Sequence, residues 1–305
     1  MINQRTIAKT AQVTGIGLHS GKKVILKLHP AEADTGIHFR RVDIDGAKPI
    51  KASATTVGAT QNNTTLGEGA SAIHTVEHLL AALYGLGINN VLCEIDGPEM
   101  PIMDGSSGSF VFLLKETGIK NLNASKKFMV ILEKVKVEKD GAWATIEPCS
   151  NLVIDSTIIF AHPQIKKQHE VFEFSCENFL KEISRARTFG FLKDADYLRK
   201  CGLAKGASLD NAVIMDDFRV VNVEGLRFQN EFVRHKILDT IGDVALLGHE
   251  IAGKITTFKS GHHIHNLLCR KILANPSCYE IVSAASLQEE ARQAFELPQT
   301  ISLTH

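Results

Sequence analysis

Three features of the 305-residue chain predict an α+β fold built from two similar units. Runs of alternating apolar residues are separated by glycine-bearing turns at hairpin-like spacing, which favours mostly antiparallel sheets. Other stretches repeat their apolar residues at the helical period instead. The succession of strands and then helices recurs on either side of a polar stretch at 119–127, although residue-level similarity between the two sides is faint. The expected division is one unit over 1–125 and a second over 126–305, each a mostly antiparallel sheet packed with helices.

In chain order, Val13 to Leu18 reads as a strand closing in a Gly15-Ile16-Gly17 turn, and Lys23 to Leu28 as its alternating partner. A helix is expected from Ser71 to Tyr84, with Gly85 and Gly87 past its end as terminators. A strand follows at Asn90 to Ile95, a turn-rich loop at Asp96 to Gly108, and a helix at Ser109 to Glu116. The stretch 119–127, Ile-Lys-Asn-Leu-Asn-Ala-Ser-Lys-Lys, reads as a linker. Beyond it strands are expected at 128–138, 142–147, 152–160 and 251–259, and helices at 175–185, 230–247 and 263–274.

Composition narrows the class of function. Hydrophobic residues are 44% of the chain and charged residues 22%, enough apolar material for a sizeable core. Thirty-four Lys plus Arg balance thirty-four Asp plus Glu, which argues against a general nucleic-acid binder. No apolar run approaches the ~20 residues that cross a bilayer, and the opening residues lack the apolar stretch of an export signal. A cytoplasmic location is the expectation. The six cysteines form no Cys-x-x-Cys pair, so buried reduced thiols are expected rather than disulfides or a cysteine-held metal.

Two predicted helices carry polar residues in unusual places. In 71–84, residues Ala72, Ile73, Val76, Leu79, Leu80, Leu83 and Tyr84 form a broad apolar arc, yet the chain inserts His74, Glu77 and His78. A buried carboxylate and imidazole need partners. A satisfied core histidine meets that need as well as a metal ligand does. In the helix after Asn230, a suitable N-cap, the face made by Val233, Ile237, Leu238, Ile241, Val244 and Ala245 is apolar, with Arg234 as an intruder. His235, Asp239 and Asp243 follow one another at steps of four on another face, with Lys236 beside them. A nitrogen and an oxygen ligand presented together suit zinc. A surface ion-pair ladder has the same spacing. The segment Ser260-Gly261-His262-His263-Ile264-His265 fits a polar turn before a helix, and composition alone does not single out any of its histidines. His-Glu-x-x-His and the cysteine-rich deaminase pattern are absent, which disfavours a zinc peptidase or a nucleoside deaminase.

Six segments taken together resemble one family, the zinc-dependent UDP-3-O-acyl-N-acetylglucosamine deacetylases of lipid A biosynthesis. They are Gly15-Ile-Gly-Leu-His-Ser-Gly21, Ile73-His-Thr-Val-Glu-His-Leu-Leu80, Pro101-Ile-Met-Asp-Gly-Ser106, Ser184-Arg-Ala-Arg-Thr-Phe-Gly-Phe191, Arg227-Phe-Gln-Asn-Glu-Phe-Val-Arg-His-Lys-Ile-Leu-Asp239 and Lys259-Ser-Gly-His262. They fall in the family's order over nearly the whole chain. The resemblance implies one catalytic zinc ion held by His78, His235 and Asp239, with the active site between the two units. It implies Glu77 as general base, His262 as general acid, Asp243 as the carboxylate behind that acid, and Thr188 as a hydroxyl donor to the oxyanion. Lys236 is implied as a cation near metal and substrate. An insert near 188–203 is implied as the acyl passage, with Phe189 and Phe191 at the sugar and acyl chain, Leu18 lining the site and Lys259 near the diphosphate. The implied partner is the acylated UDP-sugar, whose acetyl group is released as acetate.

Overall fold

A computed structural model describes residues 2–286. The chain up to residue 125 contributes β1 (Asn3–Ile7), β2 (Ala11–Ile16), β3 (Lys23–Pro30), β4 (Ile37–Arg41), β5 (Ile50–Lys51), β6 (Val57–Ala59), β7 (Thr65–Leu66), α1 (Glu77–Gly85), β8 (Val91–Ile95), α2 (Gly108–Thr117) and β9 (Ile119–Ser125). Five of these strands form a sheet in the order β2-β3-β8-β4-β5, antiparallel except where β4 meets β8. Alternation explains β3: Val24, Leu26 and Leu28 are buried, while Ile25 between the first two is half-buried and Lys27 between the last two is exposed.

The remaining chain contributes β10 (Lys127–Ile131), β11 (Val135–Lys139), β12 (Ala142–Glu147), β13 (Leu152–Phe160), β14 (Lys166–Glu173), α3 (Cys176–Asn178), β15 (Phe189–Phe191), α4 (Leu192–Lys200), β16 (Val213–Met215), α5 (Glu231–Val244), β17 (Glu250–Phe258), α6 (His262–Leu273) and β18 (Tyr279–Ser283). A seven-stranded sheet is organised around β17. That strand pairs antiparallel with β12 and parallel with β13 and β10, while β11, β14 and β18 extend the sheet. The α+β class and the mainly antiparallel pairing agree with expectation. Among the described residues, no helix is long and apolar enough to cross a membrane.

Both halves feed one apolar core. Leu79, Leu80 and Leu83 of α1 share it with Ile237, Leu238 and Ile241 of α5. The two helices approach closely because α5 carries Gly242 at the crossing. A Cβ there would stand 2.1 Å from the Glu77 carbonyl oxygen. Only a residue without a side chain fits that contact.

Several expectations are corrected. Ala72 to Val76 is not helical: Gly69–Ser71 is a single 3-10 turn, the chain then pairs through Ile73 and His74, and α1 starts at Glu77. Bridges from Ile73 to Leu66 and from His74 to Glu99 take up this backbone. The supposed linker at 119–127 is largely β9, paired antiparallel with β1. Of its seven residues only Leu122 is buried, so the strand shows no alternating pattern. The run 128–138 is two strands, interrupted at 132–134. Helix 175–185 is a short α3 continued by a five-residue π-helical turn, Phe179–Ile183. Asn230 sits at the N-cap of α5, but its side chain does not cap; it accepts from Arg234 Nε at 2.7 Å instead. All six cysteines are unpaired; Cys93, Cys269 and Cys278 are buried as expected, whereas Cys176 and Cys201 are exposed.

Candidate active site and metal centre

The site forms where the first turn of α1 meets the middle of α5 and the start of α6. Entry into α1 is forced by Thr75, a β-branched residue at φ +61°. Such a conformation costs about 1–3 kcal/mol and persists only when its surroundings hold it. Here Thr75 Oγ1 donates to Glu99 Oε1 at 3.1 Å, and Glu99 also accepts from the backbone of His19 and Ser20. The sharp turn delivers Glu77 and His78 as the first two helical residues, both buried.

Helical spacing in α5 presents His235, Asp239 and Asp243 on successive turns, all buried against α1 rather than solvated. The ligand-capable atoms of His78, His235 and Asp239 lie within 4.8 Å of one another. Asp239 Oδ1 is 3.4 Å from His235 Nε2 and 3.8 Å from His78 Nε2. The two imidazole rings meet edge to face, with centroids 5.1 Å apart. His235 donates its Nδ1–H to the Ala186 carbonyl oxygen at 3.0 Å, which leaves a lone pair on Nε2. Asp239 Oδ1 and His78 Nδ1 are buried without a hydrogen-bond partner among the described residues. An orphaned carboxylate oxygen facing two imidazoles is a donor set that suits a divalent cation such as zinc. Burial and the neighbouring His235 push His78 down to about 3, and burial lowers His235 as well, so both rings are neutral, as ligation requires. Burial raises Asp239, but the cationic Lys236 and His262 outweigh it and keep the group ionised.

Beside this triad stands a second, hydrogen-bonded group. Glu77 Oε2 accepts the Thr64 backbone N–H at 3.0 Å, and its Oε1 lies 3.7 Å from His262 Nε2. Burial pushes the Glu77 carboxyl up to about 7, with Asp243 and Asp239 adding to the rise and His262 opposing it. His262, the first residue of α6, donates Nδ1–H to Asp243 Oδ2 at 2.8 Å. Burial alone would lower this imidazole; Asp243 and Glu77 outweigh it and push it up to about 9. His265 donates to the same Oδ2 at 2.7 Å, and Thr64 Oγ1 donates to Oδ1 at 2.5 Å. The arrangement offers a carboxylate near its titration point and an imidazolium held by a buried carboxylate, an acid–base pair for pH near neutrality.

Both groups open onto a cavity of about 670 Å³ lined by Glu77, His78, His235, Lys236, Asp239 and His262. Leu18, Thr188, Phe189 and Phe191 also line it. Thr188 is anchored through its backbone, donating to Gly105 at 2.7 Å and accepting from Val213 at 2.8 Å. Part of the apolar wall comes from residues 188–203: β15, which pairs parallel with β16, adds Phe189 and Phe191, and α4 adds Leu192, Ala195 and Leu198. Lys236 is drawn inward, its Nζ donating to Asp239 Oδ2 at 2.6 Å. Lys259 is not brought into the cavity; it is exposed, with Nζ over the Phe258 ring. His74, grouped by the helix reading with Glu77 and His78, pairs instead with Thr65 Oγ1. Arg234, the apparent intruder on the apolar face, reaches Glu170 and the Glu182 carbonyl oxygen.

Two residues of the site escaped the sequence reading. His265 lies three residues after His262 on the same face of α6, a spacing that could have flagged it. Thr64 left no signal, since its partners are distant in sequence.

A family model described as UDP-3-O-acyl N-acetylglycosamine deacetylase matches residues 4–274. A Thioalkalivibrio sulfidiphilus protein named UDP-3-O-acyl-N-acetylglucosamine deacetylase is 47% identical over 302 residues, 98% of this chain and 99% of its own. Proteins of the same name from Sodalis glossinidius and Pasteurella multocida are 48% and 49% identical, covering 98% and 93% of this chain and 98% and 94% of their own.

Proposed function

The chain belongs to the UDP-3-O-acyl N-acetylglycosamine deacetylase family, and we propose that His78, His235 and Asp239 hold one zinc ion in its active site. The protein is a hydrolase that removes the N-acetyl group of UDP-3-O-acyl-N-acetylglucosamine, releasing acetate, in lipid A biosynthesis. When bound, zinc supplies Lewis acidity, lowering the pKa of water and polarising a carbonyl. The observation that carries this reading is the convergence of two neutral imidazoles and an orphaned carboxylate oxygen beside a buried glutamate.

The protein's own groups divide the remaining work. Glu77 Oε1 takes the proton of the attacking water; Oε2, tied to Thr64, keeps the carboxylate aimed. His262 Nε2 gives a proton to the departing glucosamine nitrogen, and Asp243 holds the ring charged and oriented through Nδ1. The Thr188 hydroxyl shares the negative charge that develops on the former amide oxygen. Lys236 neutralises the second oxygen of Asp239 and thereby keeps the carboxylate oriented. Leu18, Phe189 and Phe191 exclude water around sugar and acyl chain, where each buried methylene contributes about 0.8 kcal/mol. The diphosphate is assigned to exposed Lys259, two residues before the cavity residue Gly261. The expected site of action is the cytoplasm.

The test is acetate release from the acylated UDP-sugar, with and without a strong chelator. Chelation should abolish turnover and added zinc restore it; undiminished turnover in metal-free protein would overturn the assignment.

A further inference from the structure

Thr64 is fully committed to groups assigned to catalysis. It is buried, 1% exposed, and lies just before β7 in the first half of the chain. Its backbone N–H donates to Glu77 Oε2 at 3.0 Å, and its carbonyl accepts from Val76 N at 3.2 Å, where α1 begins. Its hydroxyl crosses to the other half and donates to Asp243 Oδ1 at 2.5 Å. One residue thus touches the base, the helix start that carries the base, and the carboxylate behind the acid.

We propose that Thr64 is a positioning residue that locks Glu77 and Asp243 in a fixed mutual geometry, so that base and acid face one substrate from opposite halves of the chain. The inference rests on the deacetylase reading above. Asp243 has two imidazole donors on Oδ2, from His262 and His265. Tilting of the carboxylate plane about the Cβ–Cγ bond would pull Oδ2 away from both imidazole donors. The Thr64 hydroxyl on Oδ1 blocks that rotation, and it is the donor to that oxygen among the described residues. Hydrogen bonds to a charged group are the stronger class. The role is separable from holding Glu77, because the Glu77 contact comes from the Thr64 backbone, which survives any side-chain substitution other than proline.

The experiment compares Thr64→Val, Thr64→Ala and Thr64→Ser in the zinc-loaded full chain, measuring kcat, KM, zinc content and thermal stability. Valine keeps the shape and removes the donor; serine keeps the donor. Thr64→Val should lower kcat about 10- to 100-fold, with KM within about two-fold and zinc content unchanged. Thr64→Ser should return to within about three-fold of the parent. Should valine prevent folding, the serine and alanine variants carry the comparison: a ratio of at least about ten in kcat supports the role, and equal values overturn it. A Thr64→Val enzyme with parental kcat also overturns it, as does a loss confined to KM or to zinc. If the unsubstituted chain releases no acetate, the deacetylase reading itself fails. If that chain turns over and the donor-less variants match it, only the positioning role fails.

Discussion

Replacing Asp243 with asparagine isolates the charge that holds the proposed acid. Asn keeps the shape of the side chain and one carbonyl acceptor, but removes the anion from a site where His262 and His265 both donate to Oδ2. In the parent protein, burial pulls His262 below its ordinary 6.5, while Asp243 first and Glu77 second push it to about 9. The net difference from 6.5 corresponds to roughly 3 kcal/mol at about 1.36 kcal/mol per pH unit. Without Asp243 the ring is left with burial against Glu77 and Asp239, and its pKa returns to roughly 6.5 or below. His262 acts as an acid only while protonated, so its activity is present below its pKa and lost as pH rises through it. At pH 8 the protonated fraction falls from roughly nine-tenths to about 0.03, a loss of about 30-fold in rate. Lowering the pH recovers only part of the loss: Glu77, raised to about 7 in the parent, loses the upward push of Asp243 in the variant but is still raised by burial, and it gains a proton and ceases to be a base as the pH falls. The assay is kcat/KM against pH, read by acetate release. The parent should give a bell with limbs near 7 and 9, and Asp243→Asn a narrower, lower bell with its basic limb about two pH units below the parent's. A basic limb within about half a pH unit of the parent's would refute the acid role of His262 or its dependence on Asp243.

Three further substitutions test neighbouring parts. Glu77→Gln should keep its zinc, measured by atomic absorption, and lose about 100-fold or more in kcat; loss of metal instead would make Glu77 a ligand. Gly242→Ala places a methyl 2.1 Å from the Glu77 carbonyl oxygen, so α1 and α5 must part. The expected loss is about 1–3 kcal/mol of stability in thermal or urea denaturation, and an unchanged midpoint would refute the close crossing. Phe191→Ala should weaken long-acyl substrates by about 2 kcal/mol, roughly 30-fold in KM, with little effect on short-acyl analogues. An effect independent of acyl length would remove Phe191 from the acyl wall.

Local rules carried the sequence reading as far as local rules reach. The strand β13 and the body of α5 were legible because alternation and fourfold spacing are set by the backbone, whatever packs around it. The start of α1 was not. Ala72, Ile73 and Val76 continue an apolar helical arc on paper and are buried in fact, but Thr75 turns left-handed because Glu99, 24 residues onward, holds its hydroxyl. Periodicity reports which side chains are buried and cannot distinguish a helix from an extended segment threading the same core. Strand β9 failed for the opposite reason: it pairs through its backbone while leaving most of its side chains exposed, so no pattern marks it.

The site divides in the same way. His235, Asp239 and Asp243 were readable as a set because a helix keeps residues four apart on one face. That His78 faces them depends on the crossing of α1 and α5, and motif resemblance, not spacing, joined the two segments. Thr64 lies 179 residues from Asp243, and nothing in a threonine near a strand announces a carboxylate in the other half of the chain. Yet that contact gives the fold a reason to keep the halves together. Asp243 is ionised and buried, with one oxygen held by Thr64 from the first half and the other by α6 from the second. Losing a hydrogen bond to a buried charged group costs about 1.5–3 kcal/mol, so separation of the halves is opposed at Asp243 as well as in the shared apolar core. Catalytic alignment and cohesion of the two halves therefore depend on the same side chain, and a substitution that relaxes one relaxes the other.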